Sequence, residues 1–286
     1  MIFRSLLFVP GSNTKYMESA FNSDADVLLP DVEDSVQPNT IKESARENII
    51  TFVKEKKYNK KYIFPRINTP ESGELIKDLQ KLTIKGVDGF MYPKAKNNKD
   101  IYFIDKLLES IECEKGFPVG TFKLIPLIET SSAVLNVESI CKESNRVVAI
   151  AYGCEDFITD LQGIHDKEHS SLFIPRSLIA MAARACGIIP IDTVHVNIND
   201  LEDLEKNLKI AKNLGFEGML SLHPKELPLI HKYFTPSDED IERAKNIILK
   251  YKKSEIEGKG VSLYGDELIG PPMVKDAINL LNKWIK

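Results

Sequence analysis

The strongest constraint on this chain is a repeated alternation of short apolar, β-branched runs with longer amphipathic stretches. The apolar runs read as strands: RSLLFVP (4–10), DVLLPD (26–31), YIFPRI (62–67), VDGFMYP (87–93), TFKLIPLIE (121–129), RVVAIAYG (146–153), IDTVHV (191–196) and GFEGMLSL (215–222). Such runs, bounded by turn residues, are how strands buried on both faces look in sequence. Between them, KESARENIITFVKEK (42–56), ESGELIKDLQKL (71–82), KDIYFIDKLLESIECEK (99–115), IPRSLIAMAARACG (174–187) and LEDLEKNLKIAKNLG (201–215) have helical periodicity. In the last of these, Leu201, Leu204, Leu208 and Ala211 share one face, and Gly215 supplies a C-terminal stop. Strands that alternate with helices favour a parallel sheet, and eight such units are the arithmetic of a (β/α)8 TIM barrel. A doubly wound open sheet is the competing architecture, but no G-x-G-x-x-G follows the first strand.

The barrel is expected over residues 1–235, and a C-terminal helical extension over 236–286. The extension reads as an acidic helix in TPSDEDIERAKNIILKYKKSEIE with Ser237 or Asp238 as N-cap, a Gly-rich turn EGKGVSLYG, and a final helix near PMVKDAINLLNKWIK. An extension of this kind packs on its own barrel or on a neighbouring subunit. The run KYKKSEIEGK is most simply a solvated helix face.

Composition narrows the partners. With 38 Lys+Arg against 42 Asp+Glu, the chain carries a formal charge of −4, which argues against a nucleic-acid-binding surface. No apolar run has the length of a membrane span. Arg4 interrupts the apolar N-terminus and no small-residue cleavage site follows, so no signal peptide is expected. Cys113, Cys141, Cys154 and Cys186 form no C-x-x-C and no zinc spacing, and read as scattered reduced thiols of a cytoplasmic protein. His165 and His169 would share a helix face as metal ligands, but QGIHDKEHSS reads as a loop.

In a (β/α)8 barrel the active site lies at the C-terminal ends of the strands. Standing there are Pro10-Gly11-Ser12, Asp31 with Glu33 and Asp34, Arg66, Lys94, Glu129, Gly153-Cys154-Glu155-Asp156 and His223-Pro224. Converging carboxylates raise one another's pKa unless a cation neutralises them. Glu129 and Asp156 come from adjacent strands, and no basic residue is dedicated to both. Two carboxylates with water and substrate oxygens suit a hard divalent ion such as Mg²⁺. Any one acid can instead cap the next helix, as Asp156 before FITDL or Asp34 before SVQPNT would; Asp31, Glu129 and Asp156 together exceed what capping explains. Arg66, inside the otherwise apolar IFPRIN, needs either a carboxylate partner within the barrel or an anionic ligand for its fork. The turn LFVPGSNTKY offers amides near Lys15 for a phosphate or carboxylate, and is equally readable as an ordinary capped turn.

In order and spacing, several stretches resemble the citrate lyase β-subunit-like (CitE-like) proteins of the HpcH/HpaI aldolase and citrate lyase family. They are RSLLFVPG at the start, DVEDSV (31–36), PRIN (65–68), YPKAK (92–96), IPLIET (125–130), YGCEDF (152–157), AARACGIIPIDTV (182–194), LHPKEL (222–227) and FTPSDEDI (234–241). The resemblance implies a Mg²⁺-dependent carbon–carbon lyase. Its substrate would be a β-hydroxyacyl-CoA thioester of the citramalyl-CoA, malyl-CoA or citryl-CoA type, and its products a 2-oxo acid and acetyl-CoA. It implies Glu129 and Asp156 as metal ligands, with Glu129 also beside the substrate, and Arg66 as a catalytic and substrate-binding arginine. Asp31 and Glu33 or Asp34 match the acidic loop beside the metal, with Asp31 or Asp34 as general base. Arg4 and the PGSNTK turn with Lys15 match a region lining the thioester site, and His223 and Pro224 a loop near the CoA moiety. A homo-oligomer, trimer or hexamer, is also implied. Three further readings are a citrate lyase β subunit served by an acyl carrier protein, a CoA-independent 2-oxo acid aldolase, and a catalytically silent CoA-binding subunit. One region departs: relatives carry a tail of the form G-x-M-V-D-x-P, whose Asp reaches an adjacent subunit's active site. Here Gly270 stands at the Asp position of Gly265-Asp266-Glu267-Leu268-Ile269-Gly270-Pro271-Pro272, leaving Asp266 or Glu267 as the possible substitutes.

Overall fold

A computed structural model of the chain describes residues 1–55, 61–165, 169–256, 258 and 261–285. The eight apolar runs become eight parallel strands: β1 (Ser5–Pro10), β2 (Val27–Asp31), β3 (Tyr62–Ile63), β4 (Gly89–Tyr92), β5 (Lys123–Ile128), β6 (Ala149–Tyr152), β7 (Ile189–Asp192) and β8 (Gly218–Ser221). Their spatial order is β3-β2-β1-β8-β7-β6-β5-β4. The two end strands meet through Arg66, which bridges to both Asp31 and Met91. The amides of Asp88 and Met91 donate to the carbonyls of Ile63 (2.9 Å) and Pro65 (3.0 Å), and Ile67 N–H donates to Met91 O (3.2 Å). The sheet therefore closes into a (β/α)8 TIM barrel.

Two strands differ from expectation. β3 is two residues long because Pro65 has no N–H to donate; Phe64 and Arg66 carry the ladder past it, each donating at 2.9 Å to β2 carbonyls. β7 begins at Ile189 and ends at Asp192, so residues 193–196 of the expected strand leave the sheet. β6 pairs with Ile189–Ile191 and β8 with Ile191–Asp192.

The barrel helices are α1 (Thr14–Asn22), α2 (Lys42–Glu55), α3 (Leu75–Leu82), α4 (Asn98–Lys115), α5 (Ser131–Leu135), α6 (Val137–Lys142), α7 (Cys154–Leu161), α8 (Ser170–Cys186), α9 (Leu201–Leu214) and α10 (Leu227–Phe234). Gly215 ends α9 at φ 92°, its N–H on the carbonyls of Ala211 and Lys212. Leu204, Leu208 and Ala211 of α9 are buried, whereas Leu201 at its first position is exposed.

Strand side chains alternate in direction, and two apolar layers result. Leu6, Val27, Leu29, Phe64, Met91, Ile125, Leu127, Ala149, Ala151, Ile191 and Leu220 fill the barrel interior. Their neighbours Leu7, Leu28, Ile63, Phe90, Leu124, Ile128, Ile150 and Met219 pack outward among the helices. Gly218 is required where β8 enters, because a Cβ there would lie 1.9 Å from Phe3 O.

The chain divides into two compact units, Met1–Phe234 and Thr235–Lys286. In the second, α11 (Asp238–Ile256), a hairpin of β9 (Ser262–Tyr264) and β10 (Glu267–Ile269), and α12 (Pro271–Trp284) enclose Ala244, Ile247, Ile269 and Ala277. Ser237 caps α11, accepting from Asp240 N–H at 3.1 Å. The hairpin replaces the latter part of the expected turn EGKGVSLYG. Asp266 sits between its two strands, Glu267 pairs with Arg243, and Gly270 caps α12. Lys56, the 166–168 part of QGIHDKEHSS, residues 257, 259 and 260 of EGKGVSLYG, and Lys286 lie outside the described residues. Among the described residues no helix is long and apolar enough to cross a membrane.

Candidate active site

The inward parity of the strands continues past the apolar layer into Phe8, Asp31, Arg66, Glu129, Gly153 and Leu222. These residues line a cavity of about 450 Å³ at the C-terminal mouth, with Tyr16, Asp156, Val194 and Val196 at its walls. The volume is that of a small-molecule site.

Arg66 is held in one orientation. Its Nε and Nη2 donate to the two oxygens of Asp31 at 2.7 and 2.6 Å, Nη1 lies 3.2 Å from Glu33 Oε2, and the guanidinium sits 4.9 Å over the Phe8 ring. Both readings of Arg66 thus meet: it has an internal carboxylate partner, and it still faces the cavity. Burial pushes the Asp31 carboxyl upward, but Arg66 outweighs it, helped by the N–H groups of Ser35 and Glu33 at 3.0 Å each. The net direction is down. An acid held ionised and already accepting four hydrogen bonds is a poor proton acceptor. A general-base role for Asp31 would compete with these four bonds, two of which hold Arg66. Asp34, the alternative base, has a half-exposed side chain at the rim, 3.9 Å from Arg66 and 3.5 Å from Lys94.

Glu129 directly follows β5 and is 1% exposed. Its Oε1 accepts the Lys94 amide at 2.6 Å. Burial, then the nearby Asp156, push its carboxyl up to about 8, against the opposing pull of Arg66. Asp156 reaches the mouth from the first turn of α7, where the helix dipole favours an anion; the N-cap of that helix is Gly153, so Asp156 is not spent on capping. Gly153 is needed at this point, since a Cβ there would stand 2.9 Å from Glu129 Oε2. Glu33 is likewise buried and its carboxyl is raised, by burial first, although Arg66 and Lys94 pull it down.

The remaining expected residues scatter. Arg4 precedes β1 and binds Asp26 through its backbone N, Nε and Nη2 at 2.7–2.9 Å. It therefore stands at the N-terminal rim, opposite the mouth, and the expectation that it lines the thioester site is corrected. Lys15 is on the correct rim but exposed in the first turn of α1; its neighbour Tyr16 lines the cavity. The turn before it is an ordinary capped one: the Gly11 and Asn13 amides go to Asp31 O and Pro10 O, and Asn13 caps α1. His223 and Pro224 line an adjoining hollow of about 400 Å³ that shares Phe8, Val9, Pro10, Tyr16 and Leu222 with the first. His165 faces Glu155 at 3.4 Å and His169 faces Asp203 at 3.6 Å, so the two do not form a metal pair.

Sequence reasoning gave no role to Phe8, to Lys94, or to Lys42. Lys42 is a buried cation in α2 whose Nζ donates to the carbonyls of Val32 and Glu33 at 2.9 Å, fixing the acidic loop. The one available signal was a basic residue at a strand end, as in YPK; the others depend on contacts distant in sequence.

Among the described residues no group of three or more His, Cys, Asp and Glu side chains forms a metal cage. Of the acids at the mouth, Glu129 and Asp156 offer two carboxylates, an all-oxygen set short of a full shell, with the buried Glu129 strained toward its neutral form. That fits a hard, partly hydrated dication whose other positions go to water and ligand oxygens.

Comparison with known proteins agrees with this fold. The family model of HpcH/HpaI aldolase/citrate lyase matches residues 4–224. Citrate lyase subunit beta of Haemophilus influenzae is 32% identical over 98% of this chain and 96% of its own length. The L-malyl-CoA/beta-methylmalyl-CoA lyase of Rhodobacter capsulatus is 30% identical over 96% of this chain and 92% of its own. The crystal structure of CitE from Mycobacterium tuberculosis, in complex with magnesium, acetoacetate and coenzyme A, superposes with a TM-score of 0.78 at 23% identity, covering 98% of this chain and 97% of that one. With a match that spans the whole barrel and identities that run through nearly the full length, this chain belongs to the HpcH/HpaI aldolase/citrate lyase family.

Proposed function

We propose that this chain is a carbon–carbon lyase that cleaves a β-hydroxyacyl-CoA thioester to a 2-oxo acid and an acyl-CoA, with Mg²⁺ held by Glu129 and Asp156. One observation carries the reading: acids in excess at the mouth, with Glu129 driven up to about 8, opposite a guanidinium locked by Asp31 and open to the cavity. The relatives named as citrate lyase subunit beta and malyl-CoA lyase support it.

When bound, the ion supplies Lewis-acid polarisation of the substrate's hydroxyl and carboxylate oxygens. The protein supplies the rest. Arg66 grips the carboxylate or the developing oxyanion, and Asp31 keeps that fork from swinging away. Asp34 takes the hydroxyl proton in this scheme. As the carbon–carbon bond breaks, the hydroxyl carbon becomes the carbonyl of the 2-oxo acid. The bonding pair passes to the thioester carbonyl as an enolate, which regains a proton to give the acyl thioester. Phe8, Leu127, Val194 and Leu220 wall the cavity with apolar surface that keeps bulk water from the enolate. His223 and Pro224, beside the adjoining hollow, are the proposed neighbours of the CoA portion, with Lys15 on the same rim.

The test is a set of purified citramalyl-, malyl- and citryl-CoA thioesters, scored for 2-oxo acid release with Mg²⁺ and with excess chelator. Release that needs Mg²⁺ is expected. No release from any of them, or release indifferent to chelator, overturns the reading. A second reading, a subunit that takes its thioester from a carrier protein, is favoured by the identity to a protein named as a lyase subunit over 98% of this chain. It predicts cleavage of the carrier-linked thioester and none of the CoA form.

A further inference from the structure

Lys94 does two things at the mouth with one residue. It follows β4 by two positions and sits at φ 55°, a left-handed conformation that non-glycine residues rarely adopt. Such strain persists only where the surroundings hold it. Its N–H donates to Glu129 Oε1 at 2.6 Å. Its Nζ donates to Glu33 Oε1 at 2.7 Å and lies 3.5 Å from Asp34 Oδ1. Glu33 in turn reaches Arg66 through its other oxygen, at 3.2 Å. One left-handed residue thus contacts acids from two different strand ends, one beside Asp156 and one beside the guanidinium.

We infer that Lys94 is a positioning residue joining the two halves of the mouth: its backbone amide orients Glu129 toward a cation, and its ammonium orients the Glu33–Arg66 pair toward an anion. The inference rests on Glu129 being a cation ligand, as proposed above. Among the described residues Glu129 Oε2 receives no hydrogen bond, and the missing side chain of Gly153 leaves it room. With the amide on Oε1, the carboxylate presents a single oxygen. That arrangement suits the small, octahedral Mg²⁺ better than Ca²⁺, which is commonly held by both oxygens of a carboxylate.

Two substitutions separate the roles, because both remove the ammonium and only one disturbs the turn. Lys94→Gly keeps the N–H and the positive φ. Lys94→Val puts a β-branched residue where φ is positive, which displaces the amide. Mg²⁺ affinity is measured by calorimetry, and by Mn²⁺ electron paramagnetic resonance; pyruvate is then titrated in the presence of Mg²⁺. Lys94→Gly is expected to bind Mg²⁺ no more than about threefold weaker than wild type while binding pyruvate about tenfold weaker. Lys94→Val, verified as folded by circular dichroism, is expected to lose about 10- to 100-fold in Mg²⁺ affinity, the range seen when a ligand's orienting partner is lost. Tenfold weaker Mg²⁺ binding by Lys94→Gly, or its unaltered pyruvate binding, overturns the inference, and so does wild-type Mg²⁺ affinity in folded Lys94→Val. If Lys94→Val does not fold, Lys94→Gly decides. Glu129→Gln is the control: its loss of Mg²⁺ binding leaves the metal reading standing whatever Lys94 does. Mg²⁺ binding equal to wild type in Glu129→Gln overturns the metal reading, and the inference with it.

Discussion

Two arginines in this barrel, Arg146 buried and Arg66 13% exposed, are surrounded by the same kinds of groups, yet the acids around them are satisfied to different degrees. Arg146 donates to both oxygens of Glu112 at 2.7 and 2.6 Å, to Asp105, and to the Phe122 carbonyl at 3.0 Å. Glu112 also accepts the amides of Phe122 and Gly120 at 2.9 Å, and although burial pushes its carboxyl up, Arg146 and those amides hold it below the usual range. The cluster is closed: Asp105, Glu112 and a carbonyl take the guanidinium, and both Glu112 oxygens have two donors each. Arg66 is anchored just as firmly by Asp31, yet its neighbours include Glu33, Asp34, Glu129 and Asp156 against itself and Lys94. Glu129, with one amide for a partner, is driven up to about 8. A folded chain leaves a charge imbalance of that kind where a ligand will complete it, and the contrast separates structural salt bridging from a site better than burial does.

The largest effect that probes this contrast is expected for Glu129→Gln. It should cost roughly 10³-fold or more in kcat/KM, the several kcal/mol that metal-assisted charge stabilisation supplies. It should also abolish the rise in Tm that Mg²⁺ gives the wild type; a Tm shift surviving in the variant would place the ion elsewhere. Next comes Arg66→Lys, which keeps the charge and loses the two-pronged fork. A loss of roughly 10²- to 10³-fold in kcat/KM is expected, and a near-normal rate would make Arg66 as structural as Arg146.

Glu112→Gln should behave in the reverse sense. It breaks a buried pair and should lower stability by about 3–5 kcal/mol at neutral pH, read by denaturant unfolding, with kcat of the folded fraction unchanged. Because Glu112 has its folded pKa below its unfolded one, the pair's contribution is complete above the ordinary glutamate value and is lost as pH falls through the folded value. The gap between wild type and variant should therefore narrow in acid; a gap that widens there would contradict the assignment. The smallest effect is expected for Cys154→Ser. The thiol lies in the mouth's wall, but burial pushes it up to about 12, so it is neither nucleophile nor ligand near neutrality. Activity should stay within about twofold of wild type, and a large loss would mean the closed and open groups have been sorted wrongly.

How far the site could be read in advance differed by residue for a physical reason. Arg66 and Glu129 follow the apolar runs of their strands directly and Asp156 lies in the helix turn that follows β6, and nearness to those strand ends brought all three to one cavity. Asp31 carried the same signal, but its pairing with Arg66, 35 residues away, was not legible from its own surroundings in the chain. Arg4 shared a strand with the site and still faced the wrong end, since a strand has two rims and the residue preceding β1 belongs to the other one. Lys94 was legible only as a cation at a strand end: a positive φ at a lysine has no sequence signature.

By itself the sequence determined the architecture. Eight apolar runs separated by amphipathic stretches can bury themselves on both faces only as a parallel sheet wrapped in helices, and the acids at the strand ends follow from that arrangement. The tertiary structure alone decided where β3 and β7 stop, which acid anchors the guanidinium, and which is left short of partners. Those outcomes depend on which backbone groups and charges meet across the closed barrel, and such meetings between residues far apart in the chain leave no local mark.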